Sequence, residues 1–293
     1  MVYSLQFGFM KKTVIFIFAI VISVCSSYAQ KNKELTILHT NDTHSCIYPL
    51  SVNLADTLLA GRGGFLRRIA MLKEERTKDP DLLYFDSGDF CQGSPYFNLY
   101  QGDVEVELMN QMGIDASTIG NHEFDFGLEN MARIFRMANF PILCSNYDFT
   151  GTPVEGLTKR YMVIKRKGVK IGVFALDPKM EGLVPAQNFT GVKYLDPIET
   201  AKEMANLLRN KLHCDLVICI SHMGWSKKNK ELLIDQDIFS QTQGIDLVLG
   251  GHSHTYLTQL EHITDLDGKQ IAVDQNGKHG LFVGKLKLNL SKK

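Results

Sequence analysis

From Leu35 onward, short apolar runs rich in β-branched and aromatic residues alternate with segments of helical periodicity, and few folds satisfy that order. It calls for an α/β chain with helices packed outside a sheet system. Strands are expected near residues 35–39, 82–85, 116–119, 142–145, 161–165, 170–176, 216–221 and 246–249. Helices are expected near 64–76, 104–112, 128–138, 197–211 and 228–240. Residues 258–290 read as strands broken at Asp265–Gly268 and Asn276–Gly280, where glycines suit tight turns. With no repeat, low-complexity tract or linker, residues 30–293 read as a single domain.

The 29 residues at the start are of another kind. Lys11 and Lys12 precede the apolar run Thr13–Val24, and Ser27, Tyr28 and Ala29 follow, the pattern of a cleavable secretory signal. Export to the periplasm or the extracellular space is the expectation. A lipid anchor at Cys25 is disfavoured because Val24 is bulkier than the small residue such sites prefer. No later run approaches the roughly 20 apolar residues of a membrane span. The formal charge is zero, with 32 basic and 32 acidic residues, and the leader carries two lysines and no acids, so the remainder is slightly acidic. Without a basic field, no nucleic-acid partner is expected. Beyond the leader stand five cysteines, Cys46, Cys91, Cys144, Cys214 and Cys219, an odd number with no C-x-x-C pair. At least one is unpaired, and Cys214 and Cys219 read as small buried hydrophobes.

The chemistry gathers where strands are expected to stop. Asp42 and His44 follow the first strand and Asp89 the second, while Asn121, His122 and Asp125 follow the third. His222 follows the seventh, and His252 and His254 the eighth. Ligands of α/β sheets bind beyond the carboxyl ends of strands, so these separated segments converge on one rim. A lone His beside a strand end is usually structural; the convergence is what marks a site. Gly88, Gly120, Gly250 and Gly251 flank these residues and permit turns that bulkier residues resist. His252 and His254, two apart, share a side if extended. A His/Asp set without cysteine disfavours a thiolate structural site and suits catalytic divalent ions. Two ions about 3.5–4 Å apart need roughly seven or eight protein ligands with a bridging carboxylate, for which Asp89 is the candidate. No G-x-S-x-G elbow supports a serine nucleophile, and no P-loop is present. His39, His213 and His262 read as structural, a turn next to a strand accounts for His279, and Arg62 reads as a solvated helix-start arginine.

Read together, Asp42-Thr43-His44, Gly88-Asp89, Gly120-Asn121-His122-Glu123, His222 and Gly250-Gly251-His252-Ser253-His254 resemble the calcineurin-like metallophosphoesterase superfamily. The strings at 35–44 and 119–125 look like the two signature segments of its 5'-nucleotidase family, and the resemblance runs from about Leu35 to Leu290. It implies a four-layer α/β/β/α sandwich holding two divalent metal ions, zinc, manganese or similar. Asp42, His44, Asp89 and His254 match one metal site, and Asp89, Asn121, His222 and His252 match the other. His122 and Asp125 match the catalytic dyad, with Asn121 and His122 on the substrate phosphate. The implied reaction is hydrolysis of a small-molecule phosphate ester, a nucleotide first of all, by metal-activated water with His122 as general acid. Full-length family members continue into a carboxy-terminal nucleoside-binding domain, expected to be absent from a chain ending at Lys293 and open to supply by a separately encoded partner. A broader phosphodiesterase acting on 2',3'-cyclic nucleotides, or a non-catalytic metal-dependent binding protein, remains as an alternative.

Overall fold

Two sheets account for the apolar alternation in the computed structural model, which describes residues 33–226 and 232–290. The expected signal, residues 1–29 with Cys25, lies outside the described residues. In chain order the first half contains β1 (Lys33–Thr40), α1 (Phe65–Lys78), β2 (Leu83–Asp86), α2 (Pro95–Tyr100), α3 (Asp103–Asn110), β3 (Ala116–Ser117), α4 (Gly127–Met137) and β4 (Tyr147–Asp148). There follow β5 (Tyr161–Arg166), β6 (Val169–Leu176), β7 (Lys193–Tyr194), α5 (Pro197–Asn206), β8 (Leu216–Ser221), α6 (Asp235–Phe239), β9 (Leu247–Leu249), β10 (Glu261–Thr264), β11 (Gln270–Asp274) and β12 (Gly284–Leu290). One sheet has the order β12-β1-β2-β3 and the other β10-β11-β9-β8-β6-β5; β4 and β7 form a separate antiparallel pair. The central strands of both large sheets run parallel, Ile37 facing Leu83 in the first and Ile171 facing Leu216 in the second. Leu35–Leu288 forms one compact unit.

The period of two explains the layering. On β2, Tyr84 packs with Phe65, Ile69 and Leu72 of α1, whereas Leu83 and Phe85, equally buried, point to the other face. On β8, Val217 and Cys219 pack with Met204 of α5 and Phe239 of α6, leaving Ile218 and Ile220 for the opposite face. The inner faces meet: Ser87, just past β2, donates to the Leu249 carbonyl at 2.8 Å, and His39 of β1 lies 3.5 Å from Asp274 of β11. Helix, sheet, sheet and helix are thus stacked in four layers.

Several sequence expectations are corrected. The strand expected at 142–145 is reduced to isolated bridges at Ile142 and Leu143. Ser145 and Asn146 side chains bond the Arg160 and Asp177 carbonyls instead of continuing a ladder. The helix from Pro197 ends at Asn206 and passes into a five-residue turn over Leu207–Lys211, closed by Leu212 N–H on the Leu207 carbonyl. Of the helix expected at 228–240, the described part is only α6, which starts where Asp237 accepts the Ile234 N–H; residues 228–231 lie outside the described residues. The unanticipated α2 carried a start signal, since Ser94 caps Tyr96 and Phe97 with Pro95 at the first position. All five described cysteines are free thiols.

Behind β6 sits a carboxyl held for structural reasons. Asp177 is fully buried and accepts from Thr118 Oγ1 at 2.7 Å; burial, opposed by that bond, pushes it up to about 7. Its folded value thus exceeds the unfolded value of about 3.9, so its contribution to stability is complete below that value and is lost as pH rises through about 7. Urea unfolding at pH 5.5 and pH 8 should show wild type losing about 2 kcal/mol more than Asp177→Asn between the two conditions. Equal losses would contradict the assignment.

Candidate active site

The parallel strands of both sheets end at one edge, and the loops leaving it carry the polar residues. Asp42, His44, Asp89, His252 and His254 all adopt left-handed backbone, with φ of 50°, 42°, 54°, 69° and 57°. Such conformations are strained for side chains with a Cβ and persist only where the surroundings enforce them. Here Asp42 N–H donates to the Gly88 carbonyl and His44 N–H to the Asp89 carbonyl, both at 2.9 Å, and Asp42 Oδ2 accepts the His252 N–H at 2.9 Å. His252 and His254 are therefore not extended, and they project into different clusters.

Glycine is required at this edge for space as well as for φ. Gly88 has φ of 81°, but a Cβ on Gly120 would collide with Asp89 Oδ1, and one on Gly251 would lie 2.9 Å from His222 Nδ1.

The side chains converge tightly. His44 Nε2 is 2.9 Å from His254 Nε2, and His254 Nε2 is 3.4 Å from Asp42 Oδ1. His222 Nε2 is 3.1 Å from Asp89 Oδ2 and 3.8 Å from Asp42 Oδ1. Ligand atoms of Asp42, His44 and His254, of Asp89, His222 and His252, and of His44, Asp89 and His122 form three groups, each within 4.8 Å. Asp89 and His44 each belong to two of them. Asn121 Oδ1 is buried without a hydrogen-bond partner, an arrangement that is costly unless something electropositive or protic is supplied. Imidazole, carboxylate and amide oxygen together fit a first-row divalent cation.

Charge is concentrated with little solvent. Burial alone would raise the Asp89 carboxyl, but the neighbouring His222, then His44 and His122, hold it far below the usual carboxylate range. Burial likewise opposes charge on His222, yet Asp89 and Asp42 raise it well above ordinary imidazole. His44 is lowered, burial outweighing Asp89 and Asp42. A cation bound here competes with protons for these ligands.

His122 and Asp125 stand beside this cluster. His122 Nδ1 is 3.0 Å from Asp125 Oδ2, and the His122 N–H donates to Asp89 Oδ1 at 2.9 Å. Although burial works against the imidazolium, Asp125 and Asp89 raise His122 above its ordinary value. A cavity of about 310 Å³ opens onto Asp89, Asn121, His122 and His252, with Leu183 and Met223 in its wall. A larger cavity of about 490 Å³, lined by Ile47, Tyr48, Tyr96 and Leu108, contains none of these groups.

No role for the residues that support this cluster was read from the sequence. Asn41 donates to Asp42 Oδ2 at 2.6 Å, Gln275 Oε1 accepts from Ser253 Oγ and the Thr255 N–H at 2.7 Å each, and Glu123 accepts from three backbone N–H groups. Burial and the Asp89 charge push Glu123 up to about 7 against those bonds. Of the histidines read as structural, His39 is buried between Ser87 Oγ at 3.0 Å and Asn276 Nδ2 at 2.8 Å. The His279 ring lies 6.1 Å from that of His44. Arg62 lies over the Phe282 ring, 5.7 Å from its centre.

The model of the calcineurin-like phosphoesterase family matches residues 35–256. The chain belongs to this family. Family members are metal-dependent. The snake venom 5'-nucleotidase of Crotalus adamanteus is 32% identical over 278 residues, covering 89% of this chain and 46% of that protein. The 5'-nucleotidase of Homo sapiens is 29% identical over 279 residues, covering 89% and 47%. Among solved structures, the 5'-nucleotidase precursor of Thermus thermophilus aligns with a TM-score of 0.78 at 28% identity, over 88% of this chain and 52% of that one. The calcineurin-like phosphoesterase YfkN of Bacillus subtilis aligns at 0.68 and 25% identity, over 89% and 86%. The chain spans about half the length of the curated relatives it matches. No helix among the described residues is long and apolar enough to cross a membrane.

In the metal-free protein, NMR titration should find His122 titrating above the ordinary imidazole value, with Asp125→Asn shifting it downward. An unchanged His122 pKa in the variant would separate the two residues.

Proposed function

We propose that this calcineurin-like phosphoesterase is an exported, dinuclear-metal hydrolase of phosphate monoesters, with nucleoside 5'-phosphates as its principal substrates. The observation that carries this is the buried Asp89 carboxylate, whose Oδ2 lies 3.1 Å from His222 Nε2 and 3.9 Å from His44 Nε2, with Asn121 and His122 on the same cavity. Asp42, His44, Asp89 and His254 would hold one ion, and Asp89, Asn121, His222 and His252 the other. The substrate class comes from the 5'-nucleotidases among the relatives and structural neighbours. Export rests on the leader read at residues 1–29.

Divalent cations supply Lewis acidity toward phosphoryl oxygens and acidify water. The chain does the rest. Asn121 and His122 orient the phosphoryl group over Asp89. Asp125 holds His122 by Nδ1 and stabilises its imidazolium, which leaves Nε2 to protonate the departing alkoxide. General-acid assistance of this kind is worth about 10²–10⁴-fold. Leu183 and Met223 keep part of the cavity wall apolar, limiting solvent at the reacting centre.

Hydrolysis of AMP, a 2',3'-cyclic nucleotide, a sugar phosphate and p-nitrophenyl phosphate, each with added manganese or zinc and followed by chromatography of the products, tests the reading. AMP should give the highest kcat/KM, and Asp89→Asn should lower it by at least about 10³-fold, in the range of losing a group that acts in the transition state. A preference for the cyclic nucleotide would make the chain a phosphodiesterase. No turnover of any ester, or wild-type activity in Asp89→Asn, would overturn the proposal.

A further inference from the structure

The loop leaving β2 carries Asp89 and the loop leaving β3 carries Asn121 and His122, and no regular ladder joins them past the Asp86–Ser117 pair. One side chain bridges the gap. Glu123 is buried, and its Oε2 accepts the Asp89 N–H at 3.0 Å and the Gly120 N–H at 2.5 Å, while Oε1 accepts the Cys91 N–H at 3.0 Å. Both carboxylate oxygens are thus spent on backbone donors, two on one loop and one on the other. In return, the His122 N–H donates to Asp89 Oδ1 at 2.9 Å, closing a ring of bonds between the loops. The loops also interlock sterically, since a Cβ on Gly88 would meet the Gly120 nitrogen at 2.7 Å.

The geometry points to Glu123 as the positioning residue of the site. Its carboxylate sets the spacing between Asp89 on one loop and the Asn121–His122 pair on the other. It belongs neither to the cavity lining nor to the three ligand groups, and it acts by fixing the left-handed backbone at Asp89, φ 54°, in the orientation that turns Oδ2 toward His222. The inference rests on the metal-ligand reading of Asp89 and Asn121 given above. A carboxylate is specifically required, because an amide in its place presents an NH₂ group to at least one N–H donor. Groups that orient metal ligands in this way are typically worth 10–100-fold in metal affinity or activity.

The test uses Glu123→Gln in the full chain, with Mn²⁺ titrated by calorimetry and AMP turnover measured well below the unfolding temperature. The dissociation constant for Mn²⁺ should rise by about 10–100-fold and kcat should fall more than KM changes, with circular dichroism like that of wild type. A purely structural role would lower the unfolding temperature and leave Mn²⁺ affinity within about twofold of wild type, which overturns the inference. Should the variant fail to fold, amide hydrogen exchange of the wild-type protein decides. Slow exchange at Asp89, Cys91 and Gly120 supports the clamp, and exchange at free-peptide rates removes it. Loss of wild-type AMP turnover with these Mn²⁺ and exchange results intact would count against the substrate assignment alone.

Discussion

One buried carboxylate governs how the site is built. Asp89 is 2% exposed and lies where the open edges of two sheets meet, so its charge has almost no water to solvate it. In such a setting an uncompensated carboxylate costs several kcal/mol, and the protein answers with two imidazoles and a backbone N–H from three loops. His222 lies at 3.1 Å, His44 at 3.9 Å, and the His122 N–H donates to the same carboxyl. Those partners come from different strands of both sheets, so the four layers have to assemble before the cluster exists. The family's requirement for metal follows the same logic, because cations are the strongest available compensation for carboxylates and an orphaned amide oxygen brought this close.

Keeping these loops in place takes unusual backbone and unusual room. Five of the polar residues sit in left-handed conformations that only dense hydrogen bonding sustains. Gly120 and Gly251 are needed because any side chain would occupy the space of Asp89 or His222. The strain is concentrated at the edge where the chemistry takes place, while the sheets beneath are regular. Around the edge, Asn41, Glu123 and Gln275 tie ligand-bearing backbone together.

Much of this could be read from residue order. Apolar runs of strand length placed β1, β2, β5, β6, β8 and β9 to within about two residues, and in β2, β8 and β9 burial on both faces leaves a continuous apolar signature. Asp42, His44, Asp89, Asn121, His122, His222, His252 and His254 stood out for lying just beyond those runs, and the structure gathers them at one edge. What escaped depended on partners distant in sequence. Ser145 and Asn146 ended an expected strand by bonding carbonyls of Arg160 and Asp177, a choice invisible in the local string. Glu123 was read only as the last residue of the Gly120–Glu123 string, without a role, since its three donors belong to backbone that only the fold brings near. His252 and His254 were expected to share a side, and their left-handed φ values send them to separate groups instead.

Whether Asp89 is shared by two cations can be seen directly by anomalous diffraction from crystals grown with Mn²⁺, collected across the manganese edge. Two peaks are expected about 3.5–4 Å apart, with Asp89 within bonding distance of both, His254 on one and His222 on the other. A single peak, or two peaks with Asp89 bound to only one, would contradict a shared carboxylate.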